Sequence, residues 1–363
     1  HTNKDPLGAY NELSDDDPKW KIAGWLGVIT PFMIAVFYMV ITVWIFGYLF
    51  QAVTGDLAAL ADPNTFGTFI NSSTLFVYMI FVVAITGGIL MSGVKEGIER
   101  AAKILMPSLF VLLVLLVIYV RTLDNAMTGV AFYVLPDISK IDGSVISGAL
   151  SQAFFSLSLG MGILITYGSY MSKKQDIADS SKLVALTDTS VAFIAGLMIL
   201  PAIFSFDPQI DPSTLSESSV SLIVVLLPKI FLSLQADIGY AGASTVASIF
   251  FLLVFFAAIT SLVSIIEVPN AALMEETKMK RKKSLLTLAA VMVFLTILAS
   301  MSFGMSDGLT QFVSYAGGDK SLFDVIYDVF YDTVLPLNGL FICLFVMFRW
   351  KKANFNKELT EGL

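Results

Sequence analysis

Histidine and cysteine are all but missing from this chain: of its 363 residues one is His (His1) and one is Cys (Cys343). A single cysteine excludes an internal disulfide, and one terminal histidine excludes histidine-based metal binding and acid-base chemistry. Charge is scarce too, with only 14% Asp, Glu, Lys and Arg. There is no nucleophile paired with a base, no glycine-rich phosphate loop and no metal-ligand cluster, so the chain does not read as an enzyme and needs no organic cofactor. The opening stretch "HTNKDPLGAYNELSDDDPKW" is polar and lacks the charged-then-apolar start of a signal peptide. Without an initial Met it need not be a native N-terminus.

What fills the chain is apolar. Hydrophobic residues make up 56% of it and the mean hydropathy is +0.80, the composition of a polytopic membrane protein rather than a soluble domain. About 20 mostly apolar residues cross a bilayer as a helix. Eight stretches reach that length, near 22 to 50, 74 to 94, 103 to 120, 145 to 171, 183 to 206, 241 to 271, 284 to 304 and 333 to 349. Basic residues cluster at alternate ends: Lys19 and Lys21, then Lys95, Arg100 and Lys103, then Lys173 and Lys174, then "KMKRKK" from Lys278, then Arg349, Lys351 and Lys352. By the positive-inside rule these ends are cytoplasmic, which places both termini of the chain in the cytoplasm. The net charge of -7 sits mainly in loops and the first twenty residues and names no partner; no nucleic acid is expected.

Two intervening segments stand out. Residues 207 to 240 carry the polar "DPQIDPSTLSESS" and the short apolar "VSLIVVLLPKIFLSL", read as an external loop with two short helices divided at Pro228. In "DVIYDVFYD", Asp324, Asp328 and Asp332 recur every four residues, which on a helix sets them on one solvated or cavity-lining face.

Chemistry is concentrated in three places. In "FFSLSLGMG", two serines and two glycines interrupt an apolar span. A broken helix inside a membrane is tolerated where it is buried or lines a watery cavity, and its free backbone groups then bind ions or substrate. Close packing through small residues is the alternative. The next span holds Asp188 in "LVALTDTSVAF". A carboxylate inside a membrane helix costs about 2.5 to 3.5 kcal/mol, no Lys or Arg lies within a span to pair with it, and a bound cation would supply the missing charge. Hydration near the interface is the alternative. In "FFAAITSLVS", Ala257, Thr260 and Ser261 fall at i, i+3 and i+4 on one face; a carbonyl freed by a bent turn plus two hydroxyls suits a hard monovalent cation.

Taken in order, "SQAFFSLSLGMGILITYGSY", "TDT" and "FFAAITS", with "GIERAAKILMP", "FVLP" and "LLPKIF", resemble the neurotransmitter:sodium symporter family, and its bacterial amino-acid transporters in particular. The resemblance runs along almost the whole chain. It implies an all-α transporter fold of two inverted five-helix repeats, with one discontinuous helix at 154 to 162. It implies that Ser156 and Asp188 bind a first sodium ion and that Ala257, Thr260 and Ser261 bind a second. Asp188 stands where chloride-dependent relatives have Asn, which implies chloride independence. Tyr38 matches the tyrosine that reaches the substrate carboxylate and Phe155 the aromatic lid; Ile34, Ser158, Met161 and Ile265 match pocket-lining positions whose apolar character favours a hydrophobic or aromatic amino acid. Tyr170 and Glu275 match the cytoplasmic gate, and Asp328 the acid of the outer gate.

The chain resembles family helices three to ten, beginning with "DPLGAY" in the loop after helix two. The first and eleventh helices have no counterpart, which leads us to expect a fragment or a truncated product. The expected organisation is a polar cytoplasmic segment (1 to 21), three helices of an incomplete first repeat (22 to 120), a second repeat of five helices with the external loop at 207 to 240 (121 to 349), and a cytoplasmic tail (350 to 363). The expected activity is sodium-coupled symport of amino acids across the cytoplasmic membrane. The alternatives are a non-transporting membrane scaffold or regulatory fragment and an ion-conducting pore. Which amino acid, the ion stoichiometry and the oligomeric state are not legible.

Overall fold

The computed structural model describes residues 2, 4–92, 97–169, 176–210 and 219–360. Aspartates set several helix starts. Asp5 caps α1 (Pro6–Leu13) by accepting from the Gly8 amide at 2.9 Å, and Asp17 caps α2 (Pro18–Thr54), where Pro18 has no amide to leave unpaired. Gly55, with φ of 92°, ends α2 in the left-handed conformation that glycine adopts without penalty. Two short helices, α3 (Leu57–Leu60) and α4 (Pro63–Ile70), lead to α5 (Thr74–Ser92), α6 (Gly97–Val120) and α7 (Ala126–Val134).

A discontinuous pair follows, α8 (Gly143–Ser156) and α9 (Ile163–Gly168), then α10 (Ile177–Phe206), α11 (Ser219–Ser233), α12 (Gln235–Thr277) and α13 (Arg281–Met301). Beyond α13 come α14 (Asp307–Thr310), a small antiparallel hairpin of β1 (Val313–Tyr315) and β2 (Gly318–Lys320), and a last long helical run. That run comprises α15 (Leu322–Tyr327), a π-helical stretch Asp328–Val334, α16 (Leu335–Leu344), a second π-helical stretch Phe345–Lys351 and α17 (Lys352–Thr360).

Seven helical runs among the described residues are long and apolar enough to cross a membrane, and α8 with α9 makes an eighth, broken crossing. The chain is a multi-pass membrane protein. α2 and α12 pack against each other at its centre and carry the bulk of the core, including Ile34, Phe37, Trp44, Leu262 and Ile265. α5, α6 and α13 instead turn large apolar side chains such as Phe81, Val111 and Phe294 outward, as lipid-facing helices do.

Two local expectations are corrected. α11 runs through Pro228 as one helix, because the kink a proline forces need not end a helix whose neighbours pack it. The break before the sixth span falls at Gly239 (φ 72°, ψ 166°) instead. Asp324 closes a capping box with Ser321, and a π-helical turn begins at Asp328. Finally, α12 is regularly helical at Ala257, with no proline before Pro269 to free its carbonyl.

Candidate functional site

The interruption in "FFSLSLGMG" is a genuine unwinding. Between Ser156 and Ile163 the backbone leaves the helix, with positive φ at Ser158 (56°), Gly160 (75°) and Gly162 (68°). A Cβ on Gly160 would lie 2.6 Å from the Leu335 carbonyl oxygen, and one on Gly162 2.7 Å from that of Gly27, so only glycine lets the chain pass between α2 and α16. The Asn338 side chain holds the crossing in place. Its amide donates to the Gly160 carbonyl at 3.1 Å, the Thr30 hydroxyl at 3.0 Å and the Leu26 carbonyl at 3.2 Å.

Where α8 ends, the Ser156 hydroxyl donates to Asp188 Oδ1 at 2.6 Å. Residues 32 apart in sequence thus meet, and the carboxylate of α10 faces the unwound segment rather than lipid. Beside them lies a cavity of about 380 Å³. Ser156, Ser158, Phe155 and Met161 form one wall; Tyr38 of α2 and Thr260, Ser261 and Ile265 of α12 form the other. Ile34 is placed differently: it is fully buried in the core and off the cavity wall.

On α12 the Thr260 hydroxyl donates to the Ala257 carbonyl at 2.9 Å. Ser261 and Tyr38 line the same cavity from the two central helices. The Tyr167 hydroxyl of α9 donates to Ser264 at 2.7 Å, and Ser264 to the Thr260 carbonyl at 3.0 Å. These donors are all oxygen and all neutral except Asp188, the donor chemistry of a hard cation of low charge.

Phe155 sits in an aromatic cluster at the cavity's edge. Its ring centroid is 5.0 Å from Tyr331 and 6.2 Å from Tyr38. Tyr331 stacks on Tyr327 at 4.5 Å and donates to Gln152 Oε1 at 2.6 Å. The two tyrosines, Asn338 and Tyr167 were not singled out from sequence. Tyr327 and Tyr331 are four apart, a pairing visible in "DVIYDVFYD"; Asn338 is one polar residue in an apolar run and gave no signal.

Toward the hairpin end, Asp328 accepts from the Tyr315 hydroxyl at 2.6 Å and pairs with Lys320 at 3.2 Å. Burial and the neighbouring Asp328 push the Tyr315 hydroxyl up to about 12. At the opposite end, Glu275 accepts from the Asp5 amide at 3.4 Å. Burial, then the Glu275 carboxylate, push the Asp5 carboxyl up to about 6. Tyr170 lies outside the described residues.

Residues 68–334 match the sequence profile described as the Sodium:neurotransmitter symporter family. This chain belongs to the sodium:neurotransmitter symporter family. Among symporters of the family, it is 32% identical over 349 residues to an uncharacterized sodium-dependent transporter of Bacillus subtilis, covering 94% of this chain and 73% of that protein. A second uncharacterized sodium-dependent transporter, from Haemophilus influenzae, is 34% identical over 355 residues, with the same two coverages of 94% and 73%. The crystal structure of MhsT in complex with L-phenylalanine superimposes with a TM-score of 0.88 at 39% identity, covering 99% of this chain and 78% of MhsT. The symporter fold is therefore shared, and the protein is a sodium-dependent transporter of this family rather than an enzyme.

Proposed function

We propose that this symporter couples sodium entry to the uptake of hydrophobic or aromatic amino acids across the cytoplasmic membrane, without chloride. The observation that carries the reading is the 2.6 Å contact between Ser156 and Asp188 at the unwound segment, opening onto the cavity that Tyr38, Phe155 and Thr260 line. Ser156 and Asp188 hold one sodium ion. Thr260 and Ser261 hold a second, with the Ala257 carbonyl joining them once the Thr260 hydroxyl turns from it to the ion. These residues supply only part of a hard cation's oxygen shell, so backbone carbonyls, water and the substrate's carboxylate complete it.

The fixed charge of Asp188 neutralises the ion that chloride balances in relatives with Asn at this position. Loading sodium removes the cost of an unpaired carboxylate in the membrane, which is how the ion stabilises the unwound arrangement. The Tyr38 hydroxyl receives the substrate carboxylate, while Met161 and Ile265, both buried, meet an apolar side chain. The similarity to a structure that holds L-phenylalanine supports an aromatic substrate. Phe155 covers the bound amino acid, with Asp328 and Glu275 at the outer and cytoplasmic gates. Each sodium ion crossing 100 mV contributes about 2.3 kcal/mol to accumulation.

The test is uptake of radiolabelled amino acids into proteoliposomes. The reading expects phenylalanine and leucine to accumulate under an inward sodium gradient, with gluconate replacing chloride at no loss. Accumulation that needs chloride, or that proceeds with choline in place of sodium, refutes it.

A further inference from the structure

A second cavity, of about 350 Å³, lies away from the proposed transport site, between α5 and α13 and floored by Met39 and Ile266. Its walls are apolar apart from Thr86, a residue only 2% exposed whose buried hydroxyl meets no partner among the described residues. Thr86 departs from the rule that buried hydroxyls are satisfied, and most threonines of the other helices here bond their own i-4 carbonyl. Gly87 and Gly88, on the same wall, have nothing within 4 Å of where a Cβ would stand. The helices flanking the cavity turn Ile85, Met91 and Leu286 outward, so it opens toward lipid.

One mouth of this cavity is basic. Along α13, Lys282, Leu286, Ala289 and Val293 follow at i, i+4, i+7 and i+11, a single helical face, and the last three line the cavity. Lys282 therefore stands one turn beyond the cavity on its own face, exposed and with no ion pair among the described residues. The Arg281 Nε donates to the Leu90 carbonyl at 2.9 Å, which fixes this turn against the end of α5 where Leu90 closes the cavity. Lys280, at the N-cap of α13, makes no side-chain cap bond, and the Lys283 amide donates to its carbonyl at 2.9 Å. The side chains of Lys280 and Lys283 are exposed beside Lys282.

We infer that this cavity is a binding site for one anionic phospholipid. An acyl chain fills the apolar space, a glycerol ester carbonyl accepts from the Thr86 hydroxyl, and the phosphate meets Lys282 with Lys280 and Lys283 beside it. Acyl chains gain little by leaving one apolar surface for another, so the phosphate contacts decide which lipid is held.

Native mass spectrometry of the detergent-purified protein titrated with phosphatidylglycerol and with phosphatidylcholine tests the site. Phosphatidylglycerol is expected to bind with one tight stoichiometric event and phosphatidylcholine without one. Lys282→Gln should weaken phosphatidylglycerol about fivefold, the effect of one lysine near an anionic surface, while Lys357→Gln in α17 leaves it unchanged. Gly88→Phe should fill the cavity and lower binding more than tenfold; Ala289→Phe, from the opposite wall, repeats the test should the first variant not fold. Equal binding of the two lipids, or equal loss from Lys282→Gln and Lys357→Gln, overturns the inference.

Discussion

Removing the charge of Glu267 is expected to loosen the turn between the sixth and seventh spans. Glu267 lies ten residues before the end of α12, which is about 15 Å along the helix, yet it does not stand alone. The Arg281 guanidinium reaches back across the turn and donates to both carboxylate oxygens at 2.7 Å. Asn270 adds a longer contact at 3.4 Å. Glu267 is 6% exposed at its side chain and Arg281 29%. Breaking a fully buried pair from one side costs about 3 to 5 kcal/mol, because the surviving charge is stranded. Arg281 retains access to water, so we discount that figure to roughly 2 kcal/mol for Glu267→Gln and for Arg281→Met. The double variant Glu267→Leu/Arg281→Met strands no charge and should fall within about 1 kcal/mol of the parent. Reversible unfolding in mixed micelles measures all of these. Single-variant losses that simply add in the double variant would refute the claim that the two charges depend on each other.

Gly160→Ala should destabilise the unwound segment by at least about 2 kcal/mol, since it combines a left-handed backbone with a Cβ 2.6 Å from a carbonyl oxygen. Gly55→Ala, equally left-handed (φ 92°) but with nothing within 4 Å, should cost only about 1 kcal/mol; equal unfolding midpoints for the two would show that the close approach does not matter. The Asp5 carboxyl is pushed up to about 6 in the folded protein. A raised acid favours the folded state below its unfolded value and loses that contribution as pH rises through the folded one, so docking of α1 should weaken between about pH 4 and 6 and stay weak above. Hydrogen exchange at residues 7 to 13 should follow that course and flatten in Asp5→Asn; protection that grows with pH would contradict the sign.

Much of this was readable from residue patterns because a bilayer leaves few options. Long apolar runs gave the helices, and the serines and glycines of "FFSLSLGMG" announced a break that the backbone satisfies through Asn338 and left-handed glycines. Asp188 could be singled out because an unpaired carboxylate in hydrocarbon demands an explanation. That Ser156 would be its partner came only from the family resemblance, since no local pattern links residues on different helices. Partnerships of the same kind stayed hidden elsewhere. Arg281 lies outside the apolar run and looks like one of a solvated cluster, yet it folds inward onto Glu267. The π-helical turns from Asp328 onward have no spacing rule to reveal them.

Sodium coupling in this protein rests on the proposed cation site at Asp188. The most direct measurement is equilibrium binding of radiolabelled phenylalanine across a sodium titration in chloride-free buffer, with the parent protein and Asp188→Ala side by side. The parent should bind phenylalanine with a steep dependence on sodium, and Asp188→Ala should lose that dependence together with more than tenfold in affinity. A variant that keeps the parent's sodium dependence would mean that Ser156 and Asp188 hold no ion.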